Sequence, residues 1–87
     1  MKTIEELQQT LDRYARAAGA THPIITFSPD RESYIISARF DRAQWIVYKD
    51  RDELDADPVH VMFLAMETMI LWNHKEAIEI SVTEQDD

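Results

Sequence analysis

The stretch SYIISARFDRAQWIVYKD, residues 33–50, reads as two β-strands and the turn between them. Tyr34, Ile36, Ala38 and Phe40 fall on one side of a two-residue alternation, and Ile35, Ser37 and Arg39 fall on the other. After a reversal at Asp41-Arg42-Ala43, Trp45, Val47 and Lys49 alternate in the same way with Gln44, Ile46 and Tyr48. A period of two suits a pleated strand with one face on a core. Upstream, Pro23-Ile24-Ile25-Thr26-Phe27 is β-branched and aromatic, and Ser28-Pro29-Asp30-Arg31 places proline at the second position of a turn. Three strands joined by short turns predict an antiparallel meander, with His22 in the loop before it.

The segments flanking the meander change period. Thr3-Ile4-Glu5-Glu6 has the form of a capping box, in which two side chains each satisfy the other residue's unpaired backbone N–H. Ile4, Leu7, Leu11, Tyr14 (or Ala15) and Ala18 follow at three- and four-residue spacing, and Gly19 suits a left-handed stop. These features predict a helix over 3–18. On the other side, Asp57-Pro58 supplies an N-cap and a first-turn proline, so a second helix is predicted from Pro58 to about Lys75. Its expected core face is Val59, Met62, Phe63, Met66, Met69 and Ile70, while Leu64 and Leu71 share the wet side with His60, Glu67 and His74. A helix apolar nearly all round is either centrally buried or shared with a partner. Core packing is the commoner reason for methionines at this spacing; an adaptable binding surface is the other.

Ile78, Ile80 and Val82 alternate with Glu79, Ser81 and Thr83, which predicts a fourth strand; Lys75-Glu76-Ala77 favours helix and leaves a helical extension as the alternative. The expected fold is α+β, with helices on one face of an antiparallel sheet. Residues 1–83 are expected to form one domain, with an acidic frayed tail at 84–87.

Composition narrows the function classes. A chain of 87 residues can bury one modest core but not a separate catalytic chamber. There is no cysteine, which removes disulfides, thiolate metal sites and thiol catalysis, and suits a reducing cytoplasm. The opening MKTIEELQQ reaches acidic residues at once, unlike a signal peptide, and the run VMFLAM is too short to span a bilayer. Net charge is −8, unevenly spread: residues 1–49 balance at +1 and residues 50–87 at −9. Such a field repels nucleic acid and anionic membranes and draws cationic partners inward.

Reaction chemistry finds little support. One glycine leaves no phosphate-cradling loop, and no serine sits in a glycine-flanked elbow. His60, Glu67 and His74 share a helical stripe, but neighbours seven residues apart are separated by about 10.5 Å. Zinc donors must all lie within about 2.0–2.2 Å of one point. Asp50 and Asp52 match the first two ligand positions of a calcium loop, yet Asp55 stands where glycine is needed and Val61 where glutamate is needed. Neither a catalytic residue, a metal site nor a cofactor is expected.

Two functions follow. In the first, Asp50, Asp52, Glu53 and Asp55, with Tyr48 as an aromatic anchor, bind a basic surface on a partner that itself handles nucleic acid. If the chain stays extended past Lys49, carboxylates at 50 and 52 stand about 6.6 Å apart. Two phosphate steps along one DNA strand span about 6.8 Å. In size and charge the chain resembles small acidic phage proteins that block CRISPR effectors or other host nucleases, which implies a nucleic-acid-mimicking inhibitor. The alternative is a structural or accessory subunit. There the Met-rich helix is shared with a second copy or another protein through Leu64, Leu71, Glu67 and His60, and the acidic half is only a solvated surface.

Overall fold

The computed structural model describes the backbone of residues 3–85 and the side chains of residues 3–76. Helix α1 (Ile4–Ala18) leads into strands β1 (Thr21–Ser28), β2 (Ser33–Arg39) and β3 (Gln44–Asp50), then a short helix α2 (Arg51–Ala56) and a long helix α3 (Pro58–Gln85). The three strands form one antiparallel sheet in the order β1-β2-β3.

Helix α1 begins and ends as its sequence dictates. The Thr3 hydroxyl accepts from the Glu6 backbone N–H at 3.2 Å, and the Glu6 carboxylate accepts from the Thr3 N–H at 3.4 Å. Gly19 closes the helix at φ 76°, where its N–H returns to the last-turn carbonyls. Leu7, Leu11 and Ala15 are buried; Ile4, at the outer end of the stripe, is exposed.

In the sheet, Ile36 faces Ile25 on one side and Val47 on the other, and Tyr34 faces Phe27 and Lys49. Register therefore puts Ile25, Tyr34, Ile36, Ala38 and Val47 on one face, where all are buried. β1 starts earlier than its composition suggests. His22, expected in a loop, lies within it at φ 53°, at an irregularity between Thr21 and Ile24. The outer side of β1 is served by one side chain of α1: Gln8 donates to the Pro23 carbonyl at 2.7 Å and accepts from the Ile25 N–H at 3.1 Å. That occupies backbone groups an edge strand would otherwise leave open.

The core lies between this sheet face and the helices. It joins Leu7, Leu11 and Ala15 of α1 to the strand residues, Leu54 of α2, and Val61, Met62, Ala65, Met66 and Met69 of α3. Met62, Met66 and Met69 are thus core residues. The expected core face of this helix is rotated in the folded chain, because Val59, Phe63 and Ile70 are exposed while Val61 and Ala65 are buried. Val61 and Ala65 are buried with the three methionines, so the side of α3 turned to the core runs through residues 61, 62, 65, 66 and 69, and Phe63 and Ile70 fall outside it.

Two further expectations are corrected. Residues 51–56 do not continue β3 as extended chain but form helix α2, capped by Asp50, whose carboxylate accepts from the Asp52 N–H at 3.1 Å. The fourth strand expected at 78–83 is helical, part of α3. From Val59 to Gln85 there is neither glycine nor proline, so nothing stops the hydrogen-bond ladder already running from Pro58. A strand would have to surrender that ladder before it could find a sheet edge. The radius of gyration is 14.4 Å, against about 12 Å for a compact chain of this length, and the longest dimension is 52 Å. A 28-residue helix is about 42 Å long, so α3 extends past the body it packs on. No helix among the described residues is long and apolar enough to cross a membrane.

Candidate functional site

The acidic stretch after β3 folds into a corner whose charges have local partners. Asp50 caps α2, and Asp57 caps α3 by accepting from the His60 N–H at 3.4 Å. Asp52 lies 3.5 Å from the Arg51 guanidinium, and Glu53 lies 3.9 Å from the ammonium of Lys49, four residues back at the end of β3. Asp55 is half-buried and accepts the Tyr34 hydroxyl at 3.0 Å. Burial, then the Asp55 bond and its charge, hold the Tyr34 phenol above its usual value, since each disfavours the tyrosinate.

Asp50, Asp52 and Glu53 are exposed. They do not stand in a row at the pitch of DNA phosphates, because the backbone coils at Arg51 rather than continuing as a strand. The Arg51 N–H donates to the Glu32 carbonyl at 2.9 Å, which fastens this corner to the β1–β2 turn and brings Glu32 beside it. Nothing local in the sequence signals that neighbour, since it depends on the sheet register. Tyr48 is 52% exposed on the sheet face opposite the core, with the Arg31 guanidinium 5.2 Å above its ring. That is a cation–π contact on an open surface. Ile24 and Ile46 are exposed on the same outer face, flanking Ser37 of β2.

The second surface is the outer side of α3. Leu64 is 36% exposed, Phe63 49% and Leu71 60%; Val59, Ile70 and Trp72 are likewise exposed. His60, Glu67 and His74 run between these apolar residues, all exposed. Of the residues expected here, Leu64, Leu71, Glu67 and His60 stand on one side of the helix; Phe63 and Ile70 border them because the core face is rotated, whereas Trp72 lies on the opposite flank, against Trp45. An α1–α3 groove lined by Tyr14, Ala17, Phe63, Met66, Glu67 and Ile70 borders this surface, and Phe63 meets Tyr14 edge-on at 6.1 Å.

At the far end of the body, Trp45 donates its indole N–H to Asn73 Oδ1 at 3.2 Å, and the Asn73 amide donates to Asp41 Oδ1 at 2.8 Å. The Asn73 bond is the main reason the Asp41 carboxyl lies below its usual range. Trp45 and Trp72 approach to 5.9 Å beside Lys75 and Glu76, in an open hollow. These contacts fasten α3 to the β2–β3 turn. Among the described residues no three His, Asp or Glu side chains converge on a point that could hold a metal ion.

Comparison with known proteins returns no match: no family model, no curated protein and no solved structure is similar to the chain.

Proposed function

We propose that the chain is a non-enzymatic binding protein, an accessory subunit that covers the exposed side of α3 with a partner protein. One observation carries this reading. Phe63, Leu64, Ile70 and Leu71 lie exposed on neighbouring sides of α3 within nine residues, although the same helix buries its methionines in the core. Large apolar side chains grouped on one surface mark an interaction site, whereas single ones need no explanation. The charge of −9 over residues 50–87 gives the module a preference for basic partner surfaces, through on-rate more than through affinity. Absence of cysteine is consistent with work in the cytoplasm.

The test is substitution on α3. Leu64→Glu with Leu71→Glu changes only exposed positions, so folding persists by circular dichroism while complex formation falls at least tenfold by calorimetry or size-exclusion. Unchanged complex formation removes the proposal.

A second reading, a nucleic-acid-mimicking inhibitor of the phage anti-defence kind, is favoured by the exposed carboxylates of Asp50, Asp52 and Glu53 beside Glu32. Binding through them weakens steeply with salt and is lost in a Asp52→Asn, Glu53→Gln variant. Binding through α3 survives both.

A further inference from the structure

We infer that the partner covering α3 is a second copy of this chain, packed antiparallel along α3 with its two-fold axis beside residues 69–71. The inference rests on the binding role proposed above for α3 and supplies its occupant.

The argument starts from the polar stripe within the apolar surface. His60, Glu67 and His74 recur at seven-residue spacing and are exposed. Within one helix they are about 10.5 Å apart, too far to reach each other. Among the described residues, Glu67 and His74 have no side-chain hydrogen bond or ion pair. A second α3 running the opposite way brings a carboxylate to an imidazole twice, once on each side of the axis. An imidazole donates an N–H to a carboxylate whether neutral or protonated, so the stripe is complementary to its own reversed copy.

Three registers are then distinguishable. An axis beside Glu67 sets Glu67 against its own copy, like charge on like. An axis between Phe63 and Leu64 pairs His60 with the second copy's Glu67, but only residues 58–69 of each helix then overlap, about 18 Å, with the two sheets crowded at the same end. An axis beside 69–71 pairs Glu67 with the second copy's His74 in both directions. It overlaps about 26 residues of each α3, and it uses the length of helix that extends beyond the body. It also lays Leu71, the most exposed large apolar residue of the helix among those whose side chains are described, close to the axis where it is covered by its own counterpart. Charge rejects the first register and overlap rejects the second, which leaves the third.

Single cysteines test this cleanly, because the chain has none of its own. Wild-type protein should sediment as a dimer at tens of micromolar. Leu71→Cys, close to the axis, should oxidise to a covalent dimer, whereas Leu64→Cys, about 15 Å or more from its copy, should not. Glu67→Lys should weaken the dimer about tenfold, and adding His74→Glu should restore it by exchanging the two charges. A monomer at 100 micromolar, equal cross-linking of both cysteine variants, or no rescue by the exchange each overturns the assignment. If the chain is monomeric yet Leu64→Glu, Leu71→Glu still abolishes capture of another protein, self-association falls and the binding role of α3 stands.

Discussion

The hydroxyl of Tyr34 on β2 donates to Asp55 on α2 at 3.0 Å, across twenty-one positions of sequence. This contact takes one carboxylate of the acidic corner into the fold. It also positions α2 over the end of the sheet, with Leu54 in the core directly before it. Tyr34 is buried, and Phe27 meets its ring edge-on at 5.1 Å. Tyr34→Phe keeps the ring and removes the bond, leaving Asp55 short of a donor. The expected loss is about 1–2 kcal/mol in urea unfolding. A loss near zero would mean water replaces the hydroxyl at no cost.

The same tyrosine sets an alkaline limb. Its folded pKa is raised, so as pH passes the ordinary value near 10 the unfolded chain releases this proton first. The unfolded state then binds fewer protons than the native state, and stability falls with rising pH up to the folded value. Below pH 10 the contribution is fully present. Unfolding measured between pH 9 and 11 should show a steeper decline for wild type than for Tyr34→Phe; parallel declines would contradict it.

Asp41 behaves in the opposite sense. The bond from Asn73 lowers its pKa from the usual 3.8, so its contribution is present above that value and is lost as pH falls through the lower folded one. Asn73→Ala should return the Asp41 carboxyl to the usual range, read by carboxyl NMR titration. It should also alter Trp45 fluorescence, because the indole N–H loses its acceptor. An unchanged Asp41 titration would remove Asn73 as the cause.

The acids of the corner should separate by structural role. Asp57→Ala and Asp50→Ala remove N-caps and should each cost about 1 kcal/mol in denaturant unfolding. Asp52→Asn, on an exposed ion pair, should change stability by less than about 0.5 kcal/mol. Equal costs for all three would show that the cap geometry is not what stabilises these positions.

Leu54 is fully buried on a helix of six residues. Leu54→Ala should cost about 2–5 kcal/mol by chemical denaturation and should free α2 first, seen as faster amide exchange there than in α1. A cost under about 1 kcal/mol would show that α2 is held by its caps and by Tyr34 instead.

Local signals in the chain were enough for α1, the meander and the start of α3. A capping box at Thr3, a glycine at 19, period-two alternation from Tyr34 to Lys49 and the Asp57-Pro58 step are each short-range, and the backbone obeys them residue by residue. The candidate surfaces were legible only in part. Leu64, Leu71, Glu67 and Tyr48 could be placed on outward faces from spacing, whereas Phe63 and Ile70 could not, because a helix apolar all round does not announce which side it turns to the sheet.

That side is settled by packing: Val61, Met62, Ala65, Met66 and Met69 are the α3 residues that join the core, and they define the rotation of α3 about its axis. Long-range contacts likewise decided the corner. Asp55 meets Tyr34 and Arg51 meets Glu32 only once the strands are in register, so carboxylates that look alike along the chain become two caps, an internal acceptor and exposed charges. The composition of the chain sets its charge and the order of its residues sets its period; which groups remain outside is settled by how the pieces close on one another.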